Sequence, residues 1–280
     1  MSSDKRRARP GTAVRSGLAY ALLLAGALCT IAPLLLGALT AVRTPEQFAT
    51  ESPLTWPNPL TWDNFHAVFE HGIGRAIAVT ALMTVCITAG QLITSILAAY
   101  AFGCTEFRGR DLLFWIYLAT MMVPPIVTLI PLYLMFARLG LLNTFWALVL
   151  PFVFGSPYAI FLLRQYFRQI PAELIGAARL DGATTLDVIV HVVVPMSRPI
   201  LATLTVITVV TQWNSFMWPL VAGSGRWQVL TVATADLQTR YNEQWTLVLA
   251  ATTLAVIPLV VLFVVFQRQV LRSITWTGLK

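Results

Sequence analysis

Residues Ile170 to Pro199 read IPAELIGAARLDGATTLDVIVHVVVPMSRP, a polar island between two long uncharged stretches. Its local signals predict two helices joined by a tight turn. Pro171 suits a first helical position, Glu173 falls in the positive first turn and Arg179 in the negative last turn. Asp181-Gly182 supplies a stop whose glycine tolerates φ > 0, closing a helix of about ten residues. Thr184 then reads as an N-cap with Asp187 three residues on, a capping-box pair, and the second helix runs toward an expected kink at Pro195. Leu174, Ile175, Ala177 and Ala178 are expected to present a small apolar knob outside the membrane.

Outward from this island the chain is apolar. Hydrophobic residues make up 57% of the 280 and charged residues 11%, against roughly 45–50% and about 25% in soluble domains. That excludes an ordinary water-soluble enzyme or DNA-binding domain. A bilayer needs roughly 20 mostly apolar residues per helix, and six stretches qualify: 17–42, 76–104, 112–136, 145–163, 199–221 and 246–267, none with an Asp, Glu, Lys or Arg. The first follows a basic segment, as a signal peptide would, but it exceeds a signal core of about 7–15 residues and five spans follow, so it is expected to be retained. Residues 1–16 form a basic tail whose first fifteen residues are expected to be disordered, 17–267 the membrane domain with the loop 164–198, and 268–280 a second tail.

The net charge of +7 does not form a soluble basic patch, so no nucleic-acid partner is expected. With the N-terminus inside, 14 of the 19 Lys and Arg fall on inside segments, which places both termini in the cytoplasm. Trp115, Trp146, Trp218 and Trp245 lie near span ends, as in an aromatic belt. Cys29, Cys86 and Cys104 have no metal-ligand spacing and read as small buried apolar residues.

The island resembles the last long cytoplasmic loop of the permease subunits of bacterial ABC importers. Their pattern is E-A-A, three residues, G, nine residues, I-x-L-P; Ala177-Ala178, Gly182, Val192, Val194 and Pro195 stand at those spacings, and Asp181-Gly182-Ala183 is the form usual in the carbohydrate branch. The segment Gln212 to Leu220, QWNSFMWPL, is similar to the W-N-D-F-L-W-P-L of sugar permeases, and six spans with this loop after the fourth resemble the maltose-type small subunit. One position departs: the Glu of E-A-A falls at Gly176, and Glu173, one turn earlier, is the candidate substitute. The resemblance implies an all-α type I ABC importer permease in the bacterial inner membrane. It further implies a second homologous permease, an ATPase dimer that holds ATP and Mg, docking through this loop, an extracytoplasmic binding protein and a sugar substrate. The plainer alternative is an amphipathic hairpin on the bilayer surface, and His191 reads as a solvated or interfacial side chain.

Polar stripes run through two spans, Thr80, Thr84, Thr88, Gln91 and Ser95 in the second and Thr205, Thr208, Gln212 and Ser215 in the fifth. They suit either interhelical hydrogen bonds or the wall of a path; the resemblance favours a path through Gln91, Gln212, Trp213, Asn214 and Ser215. Pro124, Pro125 and Pro131 interrupt the third span, as a structural kink or as a bend at a gate. The outer segment with Arg226, Trp227, Gln228, Arg240, Tyr241 and Trp245 is either a solvated loop or, as the resemblance implies, a contact for the binding protein. The spans hold no ionisable group to couple protons or ions, and no phosphate-cradling loop or hydrolase motif occurs. The chain is therefore expected to catalyse no bond chemistry, to bind no cofactor or metal itself and to draw energy from another subunit. A passive channel, a secondary carrier or a permease for a solute such as a glycerol phosphate remain the alternatives.

Overall fold

The computed structural model describes residues 10–240 and 244–277. Every regular element among them is helical: α1 (Pro10–Ala41), α2 (Pro45–Thr50), α3 (Asp63–Glu70), α4 (Ile73–Cys104), α5 (Arg110–Ala119), α6 (Pro125–Arg138), α7 (Phe145–Val149), α8 (Pro157–Phe167), α9 (Ala172–Leu180), α10 (Thr185–Val188), α11 (Val194–Met196), α12 (Arg198–Trp213), α13 (Met217–Ala222), α14 (Leu230–Arg240) and α15 (Trp245–Thr277). The chain divides into two compact units, Met1–His71 with Leu237–Leu254, and Gly72–Asp236 with Ala255–Lys280.

In the first unit α1 is apolar all round. Leu22, Leu23 and Leu24, three successive positions that sweep most of the circumference, are all exposed, as a helix facing lipid or another membrane subunit would be. The helix starts at Pro10, so the expected tail of residues 1–16 is helical from there; Met1–Arg9 lie outside the described residues. Beyond its C-terminal end a small platform is tied together by polar side chains. The buried Arg43 guanidinium donates to the carbonyls of Ser52 (3.0 Å), Pro53 (3.2 Å) and Thr55, and Asn64 Nδ2 to those of Ala41 (2.9 Å) and Arg43 (2.7 Å). Thr44 and Gln47 form a capping box that starts α2.

In the second unit α4 is the central post, with α8 and α12 packed along it. Close approach is built into the residue choice: a Cβ on Gly90 would lie 2.7 Å from the Val153 carbonyl oxygen, so only glycine fits. The principal core joins Ala99, Tyr100, Phe114, Ala159, Ile160, Leu163 and Phe167 to Val188, Ile189 and Val193.

The six expected stretches do not give six unbroken spans. Among the described residues, Gly17–Ala41, Ile73–Cys104 and Trp245–Gln267 are helices long and apolar enough to cross unbroken. The third stretch bends by 96° between Met122 and Pro125. Consecutive prolines remove two donors and force Val123 and Pro124 into extended backbone. Pro131, expected to interrupt the same span, sits inside α6 without ending it. The fourth stretch is α7 and α8 separated by irregular backbone over 150–156, where Pro151, Gly155 and Pro157 fall close together. The fifth ends at Trp213 and resumes at Met217. Pro219 cannot donate to the Ser215 carbonyl, which accepts instead from Thr231 Oγ1 at 2.6 Å.

The kink expected at Pro195 is displaced. A π-helical turn over Ile189–Val193 absorbs the proline's missing donor, the helix continues through α11, and the chain bends by 83° at Ser197. The expected tail of 268–280 continues α15 as helix to Thr277.

Candidate coupling loop and translocation path

The turn in the polar island is closed by three backbone bonds, Asp181 N–H to Ala177 O, Gly182 N–H to Arg179 O and Ala183 N–H to Ala178 O, at 3.0–3.1 Å, with Gly182 at φ +86°. Thr184 caps α10 with its side chain, and Asp187 bonds back to it to complete the capping box. The hydroxyl and backbone N–H of Thr184 hold the Asp187 carboxyl below its usual range. His191, exposed, contacts the Asp187 carbonyl through Nδ1 at 3.1 Å.

Packing divides the loop's apolar residues differently from the expected knob. Ile175, Ala178 and Ala183 pack onto the core of the second unit. Leu174, Ala177 and Leu180 face outward with Leu186, and Leu180 is 91% exposed. Glu173, Ala177 and Leu180 stand at i, i+4 and i+7, one face of α9. Gly176 is exposed with open space around its Cβ position, so its missing side chain is not a packing requirement, and Asp181 is exposed beside the turn. Pro195 is half-buried in α11.

The two polar stripes face each other inside the second unit. Thr208 Oγ1 donates to Gln91 Oε1 at 3.0 Å, and Thr80 Oγ1 accepts the Leu230 N–H at 2.8 Å. Thr84, Thr88 and Ser95 carry buried hydroxyls with no hydrogen-bond partner among the described residues, unusual for groups whose desolvation costs about 1–3 kcal/mol each. Gln212 is buried one helical turn from Thr208. Trp213 has a packing contact: its indole N–H donates to the Ala255 carbonyl at 3.1 Å and the ring is buried. Asn214 Nδ2 turns back to Val210 O at 2.8 Å and ends α12; Ser215 is half-buried. Trp218, expected in an aromatic belt, is buried and donates to Ala147 O at 2.9 Å, whereas Trp115, Trp146 and Trp245 are exposed.

The apolar stretch 145–163, expected to be one span, is interrupted by irregular backbone at 150–156. Non-helical backbone at membrane depth is tolerated only where protein covers it or it lines a cavity. Here the Tyr117 hydroxyl donates to Gly155 O, and Gly155 lies against Ser95, where a Cβ would come within 2.9 Å of Oγ. Phe154 (65% exposed) and Tyr158 project from the break. The signal was present in the sequence, as Pro151, Gly155 and Pro157 within one apolar stretch.

The outer segment is not a plain loop. It forms a 3₁₀ turn at Gly225–Trp227 and then α14. Trp227 is half-buried with its ring 5.5 Å from that of Phe145, and Gln228 Nε2 donates to the Asp236 carboxylate. Arg226 is exposed, its guanidinium 5.2 Å from the Trp227 ring centroid. Tyr241 lies outside the described residues.

Known proteins share this architecture. The chain is 32% identical over 231 residues to the arabinooligosaccharides transport system permease protein AraQ of Halalkalibacterium halodurans, covering 80% of this chain and 81% of that one. It is 33% identical over 268 residues to the sn-glycerol-3-phosphate transport system permease protein UgpE of Yersinia pestis, covering 91% and 94%. A crystal structure of a bacterial ABC transporter involved in the import of the acidic polysaccharide alginate has a chain of the same fold, with a TM-score of 0.81 at 23% identity over 94% of this chain and 99% of that one. Residues 91–276, which hold Gln91 and Ser95, the fifth-span stripe, the broken spans and the island, match the binding-protein-dependent transport system inner membrane component family, and the chain belongs to it.

Proposed function

We propose that this chain is the pore-forming permease subunit of an ATP-driven importer that moves a sugar or sugar derivative across the bacterial cytoplasmic membrane, with both termini inside. A second homologous permease, two ATPase copies carrying ATP and Mg, and an extracytoplasmic binding protein complete the transporter. The observation that carries this is the hairpin at 172–196, whose outward face offers Leu174, Ala177, Leu180 and Leu186 while its inner face is locked onto the core beneath the spans. Such a rigid, apolar projection outside a membrane domain fits docking in a cleft of another protein.

Closure of the ATPase pair on ATP would shift the hairpin and rock the spans between inward and outward access, with hydrolysis resetting them. Glu173, Gly176, Ala177, Ala178, Asp181, Gly182, Ala183 and Pro195 form the docking element in this account. Gln91, Gln212, Ser215 and the exposed Phe154 and Tyr158 supply amide, hydroxyl and aromatic surfaces suited to sugar hydroxyls and ring faces. Trp213 and Asn214 support the path's geometry through the side-chain hydrogen bonds they donate to the Ala255 and Val210 carbonyls. Arg226 is the part of the outer segment best placed to meet the binding protein.

The names of AraQ and the alginate transporter favour a saccharide; that of UgpE favours a glycerol phosphate. The uncharged spans favour the former, because a phosphate calls for cationic or oriented donors along its route. Reconstitution of the four-part complex in vesicles, with uptake of labelled arabino-oligosaccharide and of glycerol phosphate measured with and without ATP, tests both. ATP-independent uptake at the same rate would sink the importer assignment, and uptake of only the phosphate would overturn the sugar.

A further inference from the structure

Arg43 and Arg164 are the two buried charged side chains among the described residues. Arg43 serves the platform of the first unit. Arg164, 6% exposed in the last turn of α8, reaches two other helices at once. Its Nε donates to the Phe102 carbonyl at 3.0 Å, and its Nη2 to Asp111 Oδ1 at 2.7 Å. Its Cζ sits 4.0 Å from the centroid of the Phe114 ring. Phe102 is in the last turn of α4, where carbonyls lack an intrahelical donor, and Asp111 in the first turn of α5, where a carboxylate is favoured. A hydrogen bond from Arg110 and the charges of Arg110, Arg164 and Arg168 hold the Asp111 carboxyl below its usual range, so the pair is ionised at neutral pH.

The same α8 leads into the loop. Phe167 and Ile170 pack with Val188, Ile189 and Val193 of the second loop helix, and Arg179 of α9 lies 3.5 Å from the Tyr100 hydroxyl on α4. Apolar packing is non-directional and lets helices slide; a buried guanidinium does not, since displacement of any one partner leaves a charge without its bonds. The three partners lie on two helices in an arrangement that only a planar fork satisfies together.

We propose that Arg164 is a positioning residue that makes the inner ends of the second and third spans, α4 and α5, move as one body with the docking hairpin, so that motion imposed on the hairpin is delivered to the helices around the path. This rests on the transport function proposed above. Asp111, whose side chain is 60% exposed, completes the latch from the rim and is the more replaceable partner.

The test uses the assembled transporter in lipid, with Cys29, Cys86 and Cys104 changed to Ala and spin labels placed through Arg108→Cys and Ala172→Cys, both exposed. The distance between the labels is measured without nucleotide and with Mg-ATP. The latch requires one unchanged distance in the otherwise wild-type complex. Arg164→Lys and Asp111→Ala should then raise the population outside that peak at least about fivefold, the lower end of usual coupling energies, while Asp111→Asn, which keeps the accepting oxygen, should restore the single peak. A shift of more than about one helical turn, ~5 Å, in the wild-type complex on adding Mg-ATP overturns the proposal without any latch variant. So do Arg164→Lys and Asp111→Ala distributions that are both identical to the wild type. If the complex hydrolyses ATP but imports nothing, the transport function fails first, whatever the label distances show.

Discussion

Replacing Gly182 by Val tests the docking hairpin at its turn. Gly182 adopts φ +86°, and a Cβ there would meet nothing within 4 Å, so the penalty is backbone strain rather than collision. For a β-branched residue that strain is about 1–2 kcal/mol. The chain could relieve it only by giving up the Gly182 N–H and Ala183 N–H bonds that close the turn, at about 0.5–1.5 kcal/mol each. The strain alone shifts the population of the docking-competent hairpin by a factor of about 5–30, and loss of both bonds shifts it by about 5–150. Gly182→Asn is the control, since Asn tolerates this region better and should lose less. In reconstituted complex the assays are ATP hydrolysis stimulated by loaded binding protein and solute imported per ATP. Both should fall in Gly182→Val with basal hydrolysis retained, and the Asn variant should lie between it and wild type. Full stimulation and full uptake in Gly182→Val would refute the hairpin's role in coupling.

Leu180 is almost wholly exposed, so Leu180→Glu should leave the thermal stability of the isolated chain within about 0.5 kcal/mol while reducing ATPase subunit recovered on co-purification; undiminished recovery removes Leu180 from the docking face. Gln212→Leu should lower transport per assembled complex about two- to tenfold, the worth of one hydrogen bond, with Ser215→Ala measured beside it; unchanged turnover in both takes this stripe out of the path. A photocrosslinker at Arg226 should capture the binding protein in the ATP-bound state more efficiently than one at Trp227, whose ring packs toward Phe145, and equal or absent capture at Arg226 counts against the contact.

The features legible in the sequence are those decided by neighbours in the chain. The Gly182 turn and the Thr184–Asp187 capping box depend on residues within one helical turn, and both form where their spacing places them. The long unbroken helices α1, α4 and α15 follow from uninterrupted apolar composition, because in a bilayer a helix satisfies its own backbone. Membership in a transport family was legible through the island and the QWNSFMWPL segment.

Tertiary structure decided what depends on residues far apart. Proline positions showed where backbone donors are missing, yet whether the helix bends sharply, as at Pro124-Pro125, continues, as at Pro131, or widens into a π turn, as before Pro195, depends on what surrounds the freed carbonyls. Leu174, Ile175, Ala177 and Ala178 are alike in sequence, and only packing against α4 and α8 turned Ile175 and Ala178 inward while leaving Leu180 outward. The residue type of Trp213 does not show its partner, and only the fold brings its indole N–H to a carbonyl 42 residues away. Arg164 read as one more inside charge until the fold set Phe102, Asp111 and Phe114 around it. Short-range hydrogen bonding and helix periodicity are properties of a segment and can be read from it. Burial, and the partner that a buried polar group must find, are properties of the assembled chain, because desolvation is set by whatever the fold brings within reach.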